Sequence, residues 1–329
     1  MTTHLDPTAV LSQEFDDETD VDIVDVVPKT PNVFILHHSD CDGYAAGAIA
    51  LATMHDKSKK FLTIPVNYGY PFPDIPLTSI DEVYILDFSY PRAVLDEVYK
   101  KVSKLLVLDH HHTAELELKD TPYSIFDSSK SGVLLAWEYF APGYPASEAI
   151  ELLDAYDLWR KDDPVHPWEK VVKFHLACET QLKNLSFWTG LVNGYFIDPA
   201  LWKLGEELYQ QFQDSVDEVK QSPLTEVRVI NNKRIGFFFA EEQISLLCDA
   251  LYSDKDLALD AVISGKNPVD DKWTFSIRAP SHTDFHVHEI ACQFGGGGHK
   301  KAAGFKMKTE AKADEIVEML TTKLQTMKF

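Results

Sequence analysis

Three apolar stretches of this sequence each end in residues that could bind a metal ion. The stretches and the ionisable residues after them are 105–108 before Asp109, His110, His111 and His112; 32–36 before His37, His38, Asp40 and Asp42; and 83–86 before Asp87. Runs of aliphatic residues are typical of strands buried on both faces of a parallel sheet, and ligands gather at the carboxyl ends of such strands. We therefore expect these ionisable residues to meet at one edge of a sheet.

Carboxylates that converge in this way repel one another unless a positive charge lies between them, because a buried, unpaired carboxylate is costly. A divalent cation supplies that charge. Asp40 and Asp42 are two residues apart, so their side chains point the same way in an extended segment. Imidazole nitrogen would come from His37 or His38 and from His110. This mixed set favours Mn²⁺ over Mg²⁺ and lacks the thiolates of a structural zinc site.

The composition of the chain narrows the class of protein. Its 329 residues, 45% of them hydrophobic, can bury a large core and predict two domains. The formal net charge of −21 argues against binding long duplex nucleic acid, because affinity for that backbone comes from Lys and Arg. Short anionic substrates remain compatible, since bound cations supply positive charge locally. Four scattered cysteines and the lack of a long apolar run predict a cytoplasmic protein without a membrane span.

The order of patterns along the chain predicts its domains. Residues 1–30 are acidic without a sustained period, which indicates a disordered arm. Strand and helix patterns alternate over 31–212 and predict a doubly wound α/β domain with a mainly parallel sheet. The polar segment 213–225 is interpreted as a linker. Residues 226–329 then predict a smaller α/β domain across a cleft.

A glycine-rich stretch in that second domain could contact a phosphate group. Residues 295–298 are all glycine, and His299, Lys300 and Lys301 follow. Glycine lets backbone amides approach a phosphate closely, and the two lysines would add positive charge. An ordinary loop is equally compatible with four glycines alone.

Several blocks of the sequence resemble one known family in both type and order. The blocks are His-Ser-Asp-Cys-Asp-Gly at 38–43, Pro-Val-Asn-Tyr-Gly at 65–69, Leu-Asp-Phe-Ser-Tyr-Pro at 86–91, Leu-Asp-His-His-His-Thr at 108–113, Ser-Gly-Val-Leu-Leu-Ala-Trp-Glu-Tyr-Phe at 131–140, Asp-Leu-Trp at 157–159 and Phe-Gly-Gly-Gly-Gly-His-Lys-Lys-Ala-Ala-Gly-Phe at 294–305. They resemble the DHH phosphoesterases, in the branch that has a DHH-associated C-terminal domain and acts on short oligonucleotides or cyclic nucleotides. The resemblance covers almost the whole chain after residue 31.

The resemblance implies roles for individual residues. The implied metal ligands are His38 or His37, Asp40, Asp42, Asp87, His110 and Asp157, with Asp42 and Asp87 as the bridging pair. Asp109 would orient a neighbouring histidine, and His111 would stabilise the oxyanion or protonate the leaving oxygen. The implied substrate-binding residues are Arg278, Gly296, Gly297, Gly298, His299 and Lys300.

One implied ligand has an alternative nearby. Close relatives often carry a second acid two residues before the last metal-binding Asp, where this chain has Ala155. Asp154 therefore competes with Asp157 for that role, because both share one face of a predicted helix.

The resemblance also implies an activity. It is the Mn²⁺-dependent hydrolysis of dinucleotides or short oligonucleotides to 5′-mononucleotides by a two-metal mechanism, with Mg²⁺ or Co²⁺ as other candidate ions. Alternatives within the enzyme class are a phosphodiesterase for cyclic mono- or dinucleotides, a phosphatase for 3′-phosphoadenosine phosphate and a RecJ-type exonuclease. A nucleotide-binding protein without catalysis is the alternative from another class, and a homodimer is compatible with all of them.

Overall fold

The computed structural model of the chain describes residues 31–54, 59–79, 81–194, 196–269, 272–298 and 300–327, with backbone alone at 267–269. The predicted acidic arm at 1–30 and the predicted substrate-binding residue His299 lie outside these residues. The chain divides into two compact units, Met1–Tyr209 and Gln210–Phe329. Each unit is described by itself below.

The first unit is built on five parallel strands. They are β1 (Val33–His38), β2 (Phe61–Val66), β3 (Glu82–Leu86), β4 (Lys104–Asp109) and β5 (Ser124–Phe126). Their order in the sheet is β2-β1-β3-β4-β5, and every neighbouring pair is parallel. The predicted parallel α/β sheet is therefore confirmed.

Helices cover both faces of this sheet. They are α1 (Cys41–Thr53), α2 (Arg92–Tyr99), α3 (His112–Leu118), α4 (Gly132–Phe140), α5 (Glu148–Asp157), α6 (Trp168–Glu179), α7 (Leu185–Asn193) and α8 (Pro199–Gln221). Alternate residues of β1 serve the two sides, since Val33 and Ile35 belong to one buried core and Phe34 and Leu36 to the other. No described helix has the length and apolar content that crossing a membrane requires.

The edge strand β2 was not predicted from the sequence. It contains Pro65, and only Val66 of its six residues is buried. Proline cannot donate a hydrogen bond to a sheet and is confined to edge strands, so local patterns give a weak signal here. The strand nevertheless pairs with β1 along its whole length.

The second unit has a six-stranded mixed sheet. Its strands are β6 (Glu226–Ile230), β7 (Lys233–Phe239), β8 (Ala261–Val269), β9 (Lys272–Arg278), β10 (Gly297–Gly298) and β11 (Ala302–Lys308), in the order β10-β11-β9-β8-β7-β6. The pair β7 and β8 is parallel and the other pairs are antiparallel. The helices are α9 (Ile244–Ser253), α10 (Val287–Gln293) and α11 (Ala313–Gln325).

The predicted linker at 213–225 coincides in part with regular structure. Helix α8 continues through Gln221, and the division between the two units falls inside it. Strand β11 had no counterpart in the sequence analysis, which interpreted the glycine-rich stretch before it as a phosphate-contacting segment or an ordinary loop.

Candidate metal centre

The register of the parallel sheet brings three strand ends to one level. Leu86 pairs with the next-to-last residue of β1 and of β4. His38, Asp87 and Asp109 therefore leave the sheet side by side. Among the described residues, three groups offer ligand atoms that lie within 4.8 Å of one another: His38, Asp40 and Asp87; Asp42, His110 and Asp157; and Asp87, Asp109, His110 and His111.

Asp87 lies at the centre of these groups. Its backbone has a φ of 55°, in the left-handed region, and its amide donates to Leu108 O at 2.8 Å. Its side chain is buried, and Oδ1 is 3.1 Å from His110 Nε2. Burial and the neighbouring carboxylates of Asp42 and Asp40 raise its pKa well above the usual value. An unusual backbone conformation combined with buried like charges is typical of a functional position.

Asp42 is held by the beginning of helix α4. Gly132 N donates to Asp42 Oδ2 at 2.6 Å, and Val133 N donates to Oδ1 at 2.8 Å. The positive end of a helix stabilises such a carboxylate. A Cβ at Gly132 would come within 2.3 Å of Asp87 Cβ, so only glycine fits at this position. The sequence analysis placed Gly132 in a family block without recognising this contact.

The structure separates Asp157 from its alternative, Asp154. Asp157 is the last residue of α5, and its Oδ2 is 3.4 Å from His110 Nε2. That oxygen is buried and accepts no hydrogen bond from the described residues. Asp154 instead accepts from Ser131 N at 2.8 Å and pairs with Arg160 Nη2 at 3.0 Å. Asp157 therefore faces the cluster, whereas Asp154 holds the segment before α4.

The two adjacent histidines of β1 point in different directions. His38 Nδ1 is 2.6 Å from Asp40 Oδ2 and 3.7 Å from Asp87 Oδ2. Burial acts to lower the pKa of His38, but these carboxylates raise it to about 11. His37 is buried, donates from Nδ1 to His38 O at 2.8 Å and packs against Gly47. Because burial lowers the pKa of His37 to about 4, its ring stays neutral in the core.

Asp109 is bonded through both oxygens and orients His111. Its Oδ1 accepts from His111 Nδ1 at 2.6 Å and from the amides of His110 and His111 at 2.7 and 3.2 Å. Ser89 Oγ donates to Oδ2 at 2.6 Å. Burial acts to raise the pKa of Asp109, but these hydrogen bonds lower it overall. Burial acts to lower the pKa of His111, and the bond with Asp109 raises it overall.

Ser89 is a member of this site that the sequence analysis did not single out. It lies in the block Leu-Asp-Phe-Ser-Tyr-Pro, two residues after Asp87. No local pattern singles it out, because Ser89 lies beyond the end of β3 and its partner Asp109 is 20 residues away in sequence.

The predicted substrate-binding residues belong to the second unit. Arg278 donates to Ile277 O at 3.1 Å, to Ala303 O at 3.3 Å and to Ser245 Oγ at 3.1 Å. Lys300 is exposed.

The three predicted glycines share one short segment of the second unit. Gly297 and Gly298 form β10, and Gly298 has a φ of 136°. A Cβ at Gly296 would approach Gly304 O to 2.1 Å, so its packing alone requires glycine.

The cluster in the first unit fits a divalent cation. Its donors are carboxylate oxygens and imidazole nitrogens, which bind hard and borderline metal ions. Burial and the neighbouring carboxylates raise the pKa values of Asp87 and Asp157, so the nearby histidines compensate their charges only in part. In metal-free protein burial acts to lower the pKa of His38, but Asp40 and Asp87 raise it overall, so its ring supplies part of the missing positive charge; as a metal ligand it would be neutral.

Comparison with known proteins identifies the second unit and the fold. Residues 231–326 match the DHHA1 domain family. An uncharacterized protein of Acanthamoeba polyphaga mimivirus is 25% identical over 285 residues, covering 82% of this chain and 66% of that protein. The chain thus spans slightly less than two thirds of the length of this relative.

Three solved structures share the fold. They are the DHH domain of a member of a family of ribosomal proteins (TM-score 0.55, 14% identity, 91% of this chain and 88% of that one), RecJ from Thermus thermophilus in complex with Mn²⁺ (0.53, 16%, 90% and 52%) and PggH, a pGpG-specific phosphodiesterase from Vibrio cholerae (0.50, 16%, 89% and 98%). At these identities the likeness is one of fold.

Proposed function

We propose that this chain, which combines the DHH fold with a C-terminal DHHA1 domain as its motifs predicted, is a metal-dependent phosphoesterase. More narrowly, we propose that it hydrolyses the phosphodiester bond of dinucleotides or short oligonucleotides and releases 5′-mononucleotides, with Mn²⁺ as the metal.

The observation that carries the proposal is the convergence of the cluster residues. Asp42, Asp87, His110 and Asp157 come from four separate elements or the loops after them, yet their ligand atoms lie close together. Like charges buried together destabilise the fold unless a cation compensates them. Buried carboxylates with strongly shifted pKa values cluster at functional sites. The carboxylate and imidazole donors of this cluster match a site that binds cations and, through them, an anionic substrate.

Two divalent ions would be held by six cluster residues, which are His38, Asp40, Asp42, Asp87, His110 and Asp157. Bound divalent ions supply positive charge to the phosphate and to the attacking and leaving oxygens. The mixture of imidazole and carboxylate supports Mn²⁺, and the RecJ structure with Mn²⁺ offers a precedent on the same fold.

His111 would hold and deliver a proton. Its Nδ1 proton is committed to Asp109, so transfer would use Nε2. Burial acts to lower the pKa of His111, but Asp109 raises it overall and so favours the protonated ring. A protonated imidazole at this place can donate to the leaving 3′ oxygen. Asp109 is then a positioning residue, held in turn by Ser89.

Two observations support a short substrate. The formal net charge of −21 opposes binding along a long polyanion. The match covers 98% of PggH, a pGpG-specific phosphodiesterase, and 52% of RecJ. The chain thus matches nearly the whole of a pGpG phosphodiesterase and about half of RecJ.

The test is a substrate panel with metal-depleted protein to which Mn²⁺ is restored. The panel contains labelled dinucleotides, cyclic nucleotides, 3′-phosphoadenosine phosphate, pyrophosphate and long single strands. We expect the dinucleotide to be hydrolysed fastest. Asp87→Asn should abolish turnover, and the exposed Asp74→Asn is the matched control that should not. Saturable nucleotide binding without hydrolysis would identify a binding protein instead and contradict the proposal.

A further inference from the structure

Tyr68 lies beside the metal-ligand cluster, and the proposed reaction gives it no role. It follows β2, and its side chain is 53% exposed. The centroid of its ring is 4.5 Å from that of Phe88 and 5.8 Å from those of His38 and His111. A large aromatic ring therefore borders both a metal-ligand histidine and the proposed proton donor while it remains open to solvent.

The loop that carries Tyr68 is tied to the cluster on one side and closed by its own turn on the other. Before it, Asn67 Nδ2 donates to Ser39 Oγ at 2.5 Å, and Ser39 lies in the segment between the first two cluster residues. After it, Tyr70 N donates to Asn67 O at 3.3 Å and closes a turn. Gly69 has a φ of 88° in this turn, a conformation that favours glycine. The position of Tyr68 is thus set by its neighbours in the loop.

A second aromatic ring supports Tyr68 from below. Phe88 follows Asp87 directly and is 1% exposed. Its ring is tilted by 37° against that of Tyr68, and Tyr90 packs on Phe88 at 4.9 Å. Tyr68 is therefore the outermost ring of an aromatic column and cannot sink into the core. Its contacts leave part of the ring surface available to a ligand.

We propose that Tyr68 is the platform on which a nucleobase of the substrate stacks. Aromatic side chains bind bases in this way with little regard to sequence, because every base has a π face. The rings of Tyr68 and His111 are 5.8 Å apart, so a base stacked on Tyr68 would lie close enough to a phosphate beside His111 to belong to the same nucleotide. The inference rests on the proposed function and adds the means of recognition: the site binds its substrate through the base as well as the phosphate, which distinguishes nucleotides from inorganic polyphosphate and base-free sugar phosphates.

The first test compares turnover of a dinucleotide and of its abasic analogue in Mn²⁺-loaded protein. For Tyr68→Leu we expect KM for the dinucleotide to rise about tenfold or more, with KM for the abasic analogue unchanged. Tyr68→Phe should behave like the parent, since it keeps the ring. Tyr70→Leu is the matched control, because Tyr70 lies in the same turn and is 72% exposed. Thermal unfolding verifies that each variant is folded.

Two outcomes of this test would contradict the proposal that a base stacks on Tyr68. Equal losses on the dinucleotide and the abasic analogue would assign Tyr68 to the chemistry or to the loop rather than to the base. A loss in Tyr68→Phe as large as in Tyr68→Leu would assign the effect to the hydroxyl group.

The second test measures binding and needs no turnover. Calorimetry compares AMP with ribose 5-phosphate on the Mn²⁺-loaded parent and on Tyr68→Leu. We expect the parent to prefer AMP and the variant to lose most of that preference. If the protein prefers AMP through Tyr68 but hydrolyses nothing, the proposed function is refuted and base stacking on Tyr68 is supported. If it hydrolyses the dinucleotide but shows no such preference, the proposed function is supported and base stacking on Tyr68 is refuted.

Discussion

The charged residues discussed for the two units differ in whether they find partners of opposite polarity within the protein. In the first unit, Asp87 and Asp157 face other carboxylates, and burial and repulsion raise their pKa values. In the second unit, Arg278 donates to two backbone carbonyls and a serine, and Lys301 donates to Phe285 O at 3.2 Å and to Thr283. These charged groups of the second unit are hydrogen-bonded within the fold and stabilise it. The carboxylates of the first unit keep negative charge that a bound cation can compensate.

The difference follows from the two kinds of sheet. Parallel strands place all their carboxyl ends at one edge, so residues that follow β1, β3 and β4 must meet there. Most strand pairs of the second sheet are antiparallel, which puts neighbouring strand ends at opposite edges. Charged residues there are distributed and can be satisfied locally.

The largest effect is expected from Asp87→Asn. Loss of a central ligand should lower kcat with Mn²⁺ by at least about a thousandfold, a loss of several kcal/mol in transition-state stabilisation. The free energy of unfolding in EDTA should rise at neutral pH, because the substitution removes a buried charge from its repulsion. Steady-state kinetics and thermal unfolding measure the two effects. A variant that keeps its kcat would remove the cluster from the mechanism.

Metal binding should produce the next largest effect, and its sign depends on pH. Asp87 and Asp157 have raised pKa values, so in metal-free protein their contribution to stability is complete below about pH 4 and is lost as pH rises through the raised values. Mn²⁺ at 100 times its Kd should restore about 2.7 kcal/mol. The gain should grow with pH, because the ligands bind the ion in their deprotonated form.

Thermal unfolding between about pH 5 and pH 8 with and without Mn²⁺ tests this prediction. Asp109 acts with the opposite sign, since its lowered pKa contributes stability above about pH 4 that is lost as pH falls. Its contribution is nearly constant across the measured range. A metal-free protein that gains stability steadily toward pH 8 would contradict the repulsion inferred for the cluster.

A smaller effect is expected from Asp109→Asn. Removing the charge that holds His111 should lower kcat about 10- to 100-fold. It should also lower the pKa of His111, so the alkaline limb of the pH profile of kcat should move to lower pH. Activity falls on that limb because the proton donor loses its proton. A limb that stays in place would show that another group donates the proton.

The smallest effects are expected in the second unit, where two adjacent lysines form a matched pair. Lys301→Gln should lower the free energy of unfolding by about 1–3 kcal/mol, because it removes the hydrogen bonds that Lys301 Nζ donates to Thr283 and to Phe285 O. Lys300→Gln should change it by less than about 0.5 kcal/mol, since Lys300 is exposed, and should raise KM severalfold if Lys300 contacts phosphate as the motif implies. Denaturant unfolding and steady-state kinetics measure both. Reversed effects would contradict the contrast between the two units.

Sequence patterns predicted much of this molecule and missed some of its contacts. The sequence alone revealed β1, β3 and β4 and the acids that follow them, because strands buried on both faces appear as continuous apolar runs. The edge strand β2 left no such signal. Gly132 and Ser89 act through contacts with Asp42 and Asp109 that are far away in sequence, and no local pattern records contacts of that kind.

The amino-acid sequence by itself determined that acids and histidines follow buried parallel strands, and hence that they meet at one edge of a sheet. Only the tertiary structure decided which members of two pairs face that edge: His38 and Asp157 do, while His37 and Asp154 are engaged elsewhere. The reason is geometric. Adjacent strand residues point to opposite faces, and the rotation of α5 about its axis is set by the helices it packs against.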